Sequence, residues 1–270
     1  MFEANLFGVA SFSANGVLLR TNLGRSGRLL ACYLLTFIGR AHRRERLAAL
    51  FWPDLDEAGA RAALNTTLWR VRRMLDGAHP GAGRLLASFD GSVALERDAA
   101  IRVDAHALQD AAVVMRDLAR DGALGETDER RLVEALDLYA GPFLDGEDDD
   151  WAVRERERLG VLVAAAGVGL MQAAARRGSD TRALRFGRQV LAVDPLHEAA
   201  QHDVMLLLVL TGQRPEALQS YRRFEVRLRE DLAVAPAPDT RRLYDDIASD
   251  AVRGMSPATL RARIGTSKAG

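Results

Sequence analysis

The sequence predicts an α-rich, multidomain protein in which an N-terminal α/β domain precedes a C-terminal all-α domain of helical repeats. Its 270 residues are enough for roughly two domains of about 150 residues each. Strand-like runs occur only before residue 104, and the pattern is helical after it. The charge changes sign there too: residues 1–104 hold 14 basic and 10 acidic residues, and residues 105–270 hold 23 and 27. We therefore expect domains at 1–104 and 105–253, and a flexible tail at 254–270.

The composition is that of a globular protein, with 48% hydrophobic and 27% charged residues. The single cysteine, Cys32, cannot form an internal disulfide and is expected to serve packing. We find no apolar run of about 18 residues that would cross a membrane. The start MFEANLFGVASF has no signal-peptide pattern. These features predict a protein of the reducing cytoplasm with no membrane partner.

The first elements follow from short-range patterns. Residues up to about 23 alternate apolar and polar around Asn15-Gly16, which predicts an antiparallel hairpin. Apolar residues then recur at helical spacing from Arg28 to Ile38, and Gly39 ends that helix. The segment RERLAALFW predicts a short helix that stops at Pro53, since proline disfavours a helical residue before it.

A longer helix is predicted from Glu57 to Leu75, with Gly77 as its stop. Its narrow buried stripe consists of Leu64, Leu68, Val71 and Leu75. Downstream, RLLASF and SVALE are strand-like runs joined by Asp90-Gly91, a strong signal for a tight hairpin. The order of sheet, helix, short helix, turn, long helix and hairpin is typical of the winged helix-turn-helix of the OmpR/PhoB type.

The second half is a series of helices separated by turns that contain Gly, Pro or Asp. We expect helices at about 105–121, 127–140, 151–177, 180–193, 196–211, 214–232 and 238–253. Matching residues recur 34 positions apart: Gly178 and Gly212, Ala183 and Ala217, Leu184 and Leu218, Arg188 and Arg222, Val190 and Phe224. Thirty-four is the period of the tetratricopeptide helix pair. The material suffices for about three stacked pairs, near the minimum for a stable array.

The two halves together resemble the SARP-type bacterial transcriptional activators, in which a winged helix precedes a bacterial transcriptional activator domain (BTAD). The likeness covers roughly residues 5–250. It is carried by RLLACYLLTFIGRAHRRERLAALFWPDLDEAGARAALNTTLWRVRRML, by LYAGPFLDGEDDDWAVRERERL, and by QVLAVDPLHEAAQHDVMLLLVLTGQRPEALQSYRRF with LAVAPAPDTRRLYDDI. The resemblance implies a sequence-specific activator whose partner is double-stranded DNA. It further implies a homodimer on promoter direct repeats that recruits RNA polymerase through its sigma and alpha subunits.

The DNA-contacting residues are predicted on the polar face of the long helix. Arginine reads guanine and asparagine reads adenine in the major groove, so we expect Asn65, Thr66 and Arg61 near base edges. The residues expected at the DNA backbone are Trp69, Arg70, Arg72 and Arg73. An ordinary solvated helix is the alternative for this face, and core packing is an equal alternative for Trp69. The family often has an arginine where this chain has Asn65.

Further cations surround this helix in the sequence. The stretch from Arg20 to Arg46 holds seven arginines against one acidic residue, Glu45, which is typical of a phosphate-facing surface. Arg43 and Arg44 precede the short helix, whose N-terminal amides favour phosphate. Arg97 is expected at the minor groove or at a flanking phosphate. For each of these three, a solvated arginine is the alternative.

The sequence gives little support for an enzyme or for a metal site. No GxxxxGK[ST] motif or recognisable nucleophile context occurs, which argues against an enzyme. His197 and His202 do not share a helical face, and the acidic run before Trp151 is expected to cap a helix. We expect no cofactor and no metal.

Two other functions stay open. One is a ligand-gated regulator with an effector site in the helical domain or at the domain junction. The other is a protein-interaction adaptor whose winged helix no longer binds DNA. The arginines at positions 61, 70, 72 and 73 disfavour the adaptor, since it has no reason to keep a basic exposed face.

Overall fold

The computed structural model describes residues 1–111 and 125–266. The chain forms two compact units. The first contains Met1–Ala107 and Leu138–Arg156, and the second contains Leu108–Asp137 and Glu157–Gly270. The predicted cut at residue 104 thus lies near the end of the first segment, but residues 138–156 return to the N-terminal unit. The helix expected at 105–121 lies in part outside the described residues.

The N-terminal unit combines two small sheets with helices. Its strands are β1 (Phe2–Asn5), β2 (Ser11–Ala14), β3 (Val17–Leu18), β4 (His42–Arg43), β5 (Leu86–Phe89), β6 (Ser92–Leu95) and β7 (Ile101–Val103). Its helices are α1 (Gly24–Thr36), α2 (Arg44–Phe51) and α3 (Glu57–Ala78), with a 3-10 turn at Ala82–Leu85. Residues 104–111 are helical and are called α4, and 104–107 of them lie in this unit.

The first sheet has the strand order β3-β2-β1-β7. Strand β2 turns into β3 at Asn15-Gly16, whose φ angles of 48° and 79° are those of a tight hairpin turn. The predicted N-terminal hairpin is confirmed. Strand β7 lies parallel to β1, with Ala4 opposite Val103, so the end of the first segment of this unit lies beside its beginning.

Helix α3 buries the predicted stripe. Leu64, Leu68, Val71 and Leu75 are each at most 3% exposed. The Asp56 carboxylate accepts a hydrogen bond of 2.8 Å from the Gly59 amide, which fixes where the helix begins. The helix continues to Ala78, so the expectation that Gly77 ends it is wrong. No atom lies within 4 Å of the position that a Cβ at Gly77 would take. A glycine inside a helix lowers helix stability by only about 1 kcal/mol relative to alanine, so the helix can continue through it.

The second sheet forms the wing, in the order β4-β6-β5. Strands β5 and β6 are joined by Asp90-Gly91, with φ angles of 44° and 71°, which confirms the hairpin predicted there. Strand β4 adds to the other edge of β6, with Arg43 opposite Ser92. This pairing fixes the backbone just before α2 to the wing.

Residues 138–156 complete the core of the N-terminal unit. Phe143 forms a backbone bridge with Phe7, and Trp151 is only 5% exposed. The Trp151 ring lies with its centroid 5.1 Å from that of Tyr33 and 6.3 Å from that of Phe51. These edge-to-face contacts each add about 0.5–1.5 kcal/mol to the burial of the rings. Trp151 therefore belongs to the core of the N-terminal unit.

The second unit consists of helices. They are α5 (Glu126–Asp137), the greater part of α6 (Asp150–Arg176), α7 (Asp180–Val193), α8 (Glu198–Leu210), α9 (Arg214–Leu232), α10 (Pro238–Ala248) and α11 (Pro257–Ala262), with a 3-10 turn at Ala251–Gly254. Helix α5 ends three residues before its expected end, and α10 ends at Ala248 rather than at 253. The ends expected for α7 and α9 agree with the structure.

The 34-residue repeat is visible in the backbone. Gly178 and Gly212 both have left-handed φ angles, 73° and 76°. Each glycine precedes a helix, and these two helices, α7 and α9, start 34 residues apart. Ala183 and Ala217 are both fully buried. Close helix packing also needs Gly187, because a Cβ there would lie 2.5 Å from the Val204 side chain. Small residues thus let successive helices approach, as the repeat predicts.

The C-terminal residues differ from the flexible tail expected at 254–270. Helix α11 buries Leu260, which is 4% exposed. Arg261 donates two hydrogen bonds, of 2.8 and 2.6 Å, to the Asp180 carboxylate. The weak apolar pattern of this segment hid these contacts, since they depend on a partner 81 residues away. Residues 267–270 lie outside the described residues.

Helix α6 departs from the expectation that no segment could cross a membrane. It is 27 residues long, and an 18-residue window of it is apolar enough for a membrane span by length and composition alone. Residues 154–158, near its start, are all charged. Of the apolar window, 61% is buried inside the protein, as in the core helix of a globular domain.

Candidate nucleic-acid interface

The outer face of α3 is defined here as Ala62, Asn65, Thr66, Trp69, Arg70 and Arg73. All six are exposed. Successive residues turn by about 100° around a helix, so Thr66, Trp69 and Arg73 point away from the leucine stripe. Asn65 and Arg70 flank them on opposite sides. The sequence prediction that this side of α3 is open to solvent is confirmed.

Trp69 belongs to the surface rather than to the core, since 54% of the residue is exposed. The Arg73 guanidinium lies over its ring, 5.1 Å from the centroid. Such a stacked pair holds the guanidinium in place while its N–H donors stay available. The core-packing alternative for Trp69 is therefore wrong.

Two predicted base-reading residues have partners on neighbouring side chains. The Arg44 guanidinium donates a hydrogen bond to the Asn65 side-chain oxygen. The Asn65 amide group is thereby oriented, and its NH₂ donors are not used by this contact. Arg61 forms an i,i+4 ion pair of 2.5 Å with Glu57. Both side chains of that pair are more than half exposed, so it is worth well under 1 kcal/mol.

Arg72 occupies a different position from the other arginines of α3. It points toward the wing, where its guanidinium donates bonds of 3.1 and 2.9 Å to the Leu86 carbonyl oxygen. It also donates to the Ser88 hydroxyl at 3.0 Å. These bonds fasten β5 to α3 through the Nε and one of the two Nη atoms of the guanidinium. These bonds give Arg72 a role in positioning the wing, and its expected contact with the DNA backbone stays a prediction.

Arg43 and Arg44 lie where the sequence placed them, at the start of α2. Arg43 is the residue before the helix, and its guanidinium donates a bond of 3.1 Å to the Asp90 carbonyl oxygen at the wing turn. Arg97 is exposed and follows β6. The Leu86–Leu95 pair closes the hairpin at the end opposite its turn, so Arg97 lies at the base of the wing rather than at its tip.

Part of the basic stretch is neutralised inside the N-terminal unit. Arg25 pairs with Glu147 at 2.9 Å and with Asp149 at 2.7 Å, and Arg28 pairs with Glu147 at 2.5 Å. The acidic run that was expected to cap a helix thus binds the arginines of α1. The carboxylates of Glu147 and Asp149 therefore offset part of the positive charge that the sequence places in this stretch.

One cation that the sequence did not assign to the interface lies beside α3. A groove of about 510 Å³ runs between the loop before α1 and the C-terminal half of α3, and we call it the loop groove. Arg20, Arg70 and Arg73 line it with Trp69, and no carboxylate is among its described lining residues. Arg70 also contacts the Asn22 carbonyl oxygen at 3.5 Å. The sequence shows Arg20 only as a member of the basic stretch, because Arg20 and Arg70 are 50 residues apart along the chain.

Two titratable groups near these arginines carry little charge. Burial, followed by the charges of Arg40 and Arg46, lowers the pKa of His42, so its imidazole does not add to the positive surface at neutral pH. Burial raises the pKa of the Cys32 thiol to about 12. Cys32 is fully buried in α1, so its expected packing role agrees with its position. In the described residues, no group of three or more His, Cys, Asp or Glu side chains is placed to hold a metal ion.

Fold and surface together define a winged helix-turn-helix protein with a second domain of helical repeats. A family model for the bacterial transcriptional activator domain matches residues 103–248, more than half of the chain. The chain therefore belongs to the bacterial transcriptional activator domain family. The resemblance to the SARP-type regulators and the expected fold class are both confirmed.

Similar proteins agree with this assignment. The chain is 29% identical over 259 residues to the regulatory protein AfsR of Streptomyces coelicolor, and this match covers 93% of the chain and 25% of AfsR. It is also 29% identical over 247 residues to the transcriptional regulator RedD of the same organism, across 87% of the chain and 67% of RedD. The chain thus spans a quarter of AfsR and about two thirds of RedD.

A solved structure shares the fold. It is that of Mycobacterium tuberculosis EmbR, in complex with a low-affinity phosphopeptide. The TM-score is 0.71 at 20% sequence identity, and the match covers 98% of this chain and 69% of the EmbR chain. At this identity, the likeness supports the architecture of the chain.

Proposed function

We propose that the protein is a sequence-specific DNA-binding regulator that activates transcription. The observation that supports this most strongly is the outer face of α3, which is exposed, cationic and backed by a fully buried leucine stripe. A single helix with such a face fits the major groove of B-DNA. Family membership and two similar regulators point in the same direction.

The exposed residues divide by the DNA groups that they would meet. Asn65, oriented by Arg44, and Thr66 lie near the middle of α3 and would face base edges together with Arg61. Arg70 and Arg73 lie further along α3 with Trp69, and they would meet phosphates together with Arg20 across the loop groove. Arg43 would meet a phosphate beside the start of α2. Arg97 is a further candidate at the base of the wing.

Binding as a homodimer on direct repeats follows from the limited size of one unit. A single module of this kind buries about 600–1,000 Å² on DNA, which leaves it short of useful specificity. Two protomers on adjacent half-sites would double the contacts. We propose that the bound regulator then recruits RNA polymerase through its sigma and alpha subunits, in the cytoplasm.

The proposal is tested by selecting DNA fragments from the genome of the source bacterium with the full-length protein. We expect enriched fragments to share a repeated motif upstream of genes. The Asn65→Ala variant is expected to relax base preference at one position of each half-site, at a cost of about 1–3 kcal/mol in discrimination. In vitro transcription from an enriched promoter measures activation directly.

A matched control uses a side-chain amide of the C-terminal unit. Gln219→Ala removes an exposed amide from the surface of α9 and is expected to leave the selected motif unchanged. Selection of random fragments by the wild-type protein would contradict the proposal. Equal motifs for the wild-type and Asn65→Ala proteins would contradict the assignment of α3 to base reading.

A further inference from the structure

The C-terminal unit contains a groove of its own, which we call the repeat groove. It has a volume of about 280 Å³ and runs between α7 and α9, with α8 as its floor. Neither the family match nor the similar proteins assign a ligand to it. The two wall helices are the equivalent helices of the 34-residue repeat, so the groove is the inner surface that stacked helix pairs create.

The rim of this groove is cationic, although its half of the chain carries more acidic than basic residues. Arg188, Arg223 and Arg227 line it, against one carboxylate, Glu216. Arg188 and Glu216 bind each other at 2.8 Å across the groove. Arg223 and Arg227 are exposed and one helical turn apart, and neither has an ion pair within the described chain. Two uncompensated charges therefore face the same opening.

The floor and inner walls offer both apolar and polar surface. Leu191, Pro195 and Val204 supply apolar groups. Beside them, the Gln201 amide donates a hydrogen bond of 2.5 Å to the Ser220 hydroxyl, and both residues are less than 10% exposed. A buried polar pair in an otherwise apolar floor gives an incoming backbone a hydrogen-bonding partner without the cost of an unpaired group.

We infer that the repeat groove binds an acidic peptide segment of a partner protein. In this arrangement an apolar side chain of the peptide lies on the floor near Val204, and flanking carboxylates pair with Arg223 and Arg227. The groove volume of about 280 Å³ admits one or two side chains of a single extended chain and is too small for a DNA duplex. A free anion would use the arginines but not the apolar floor.

The test measures fluorescence anisotropy of a labelled heptapeptide, EEELEEE, with the full-length protein at low salt. The wild-type protein is expected to bind it, and to bind the peptides EEESEEE and QQQLQQQ more weakly. The double variant Arg223→Ala/Arg227→Ala is expected to lose about tenfold in affinity, because two exposed charge pairs together contribute about 1.4 kcal/mol.

The control removes the same charge from the same helix. Arg222→Ala/Arg229→Ala lies on α9 outside the groove lining and is expected to bind the peptide as the wild-type protein does. An equal loss in both double variants would overturn the inference, since bulk charge would then explain binding. Loss of peptide binding in Arg70→Ala/Arg73→Ala would also overturn it, because the peptide would then bind the basic face of α3.

Two further results bear on the ligand class. Full displacement of the peptide by inorganic phosphate at equal ionic strength, with no difference between EEELEEE and EEESEEE, would show a free-anion site and overturn the peptide assignment. The groove variant is expected to keep its affinity for DNA, which separates this site from the interface on α3. Absence of peptide binding by the wild-type protein would end the inference.

Discussion

Arg72 fastens the wing to α3, so its removal is expected to loosen the wing rather than to weaken phosphate contacts. Its guanidinium makes three hydrogen bonds to β5, at the Leu86 carbonyl oxygen and the Ser88 hydroxyl. A hydrogen bond to a charged group is worth about 1.5–3 kcal/mol. Because the Arg72 residue is only half-buried, we expect Arg72→Ala to lower the local stability of the wing by about 1.5 kcal/mol, at the lower end of that range.

Hydrogen exchange followed by mass spectrometry measures this effect in the full-length protein. Peptides that cover residues 84–96 should exchange about tenfold faster in Arg72→Ala, since local opening follows the local free energy. Arg73→Ala is the matched control: it lies next to Arg72 on α3, and its guanidinium lies over the Trp69 ring rather than on β5. Its wing peptides should exchange at the wild-type rate.

DNA binding by the same two variants separates the roles of the two arginines. Loss of one phosphate contact changes the slope of log K against log salt by about 0.9. We expect that change for Arg73→Ala and an unchanged slope for Arg72→Ala. Unchanged wing exchange together with a reduced slope in Arg72→Ala would show that Arg72 contacts the DNA backbone and does not hold the wing.

Three more predictions concern the N-terminal unit, where all three tryptophans lie and report unfolding by fluorescence. Asp104→Ala should lower the urea stability of this unit by about 3 kcal/mol, because its buried carboxylate accepts the amides of Leu6 and Phe7; wild-type stability in this variant would contradict it. Trp151→Ala should cost about 3–5 kcal/mol by emptying the aromatic cluster, whereas a loss below 1 kcal/mol would place residues 138–156 outside the core. Cys32 should resist a thiol reagent at pH 8 until the protein unfolds, since burial raises its pKa to about 12, and prompt labelling of the native protein would contradict this.

Local periodicity was enough to predict the elements that build the interface. The spacing of the α3 stripe marks its buried side, and the opposite side follows from geometry alone. The hairpins at Asn15-Gly16 and Asp90-Gly91 follow from turn chemistry, because both pairs tolerate positive φ angles. The turns that contain Gly, Pro or Asp likewise predict the bounds of α7 and α9.

Contacts between distant parts of the chain could not be predicted in this way. Arg72 stands at the margin of the α3 stripe, and only the fold shows that β5 lies beside it. Arg25 and Asp149 are 124 residues apart, so the sequence shows a basic stretch and an acidic run but not their pairing. The same holds for Arg261 and Asp180, whose ion pair helps to order the segment expected to be flexible.

The proposed function requires that the outer face of α3, with the loop groove, meets the DNA backbone. The most direct test is the salt dependence of affinity for a genomic fragment that the wild-type protein selects. With Arg20, Arg43, Arg70 and Arg73 as phosphate contacts, we predict a slope of about −4 for each bound protomer. Arg70→Ala/Arg73→Ala should reduce it to about −2. The wild-type slope and affinity in Arg70→Ala/Arg73→Ala would contradict contact between the outer face of α3 and the DNA backbone.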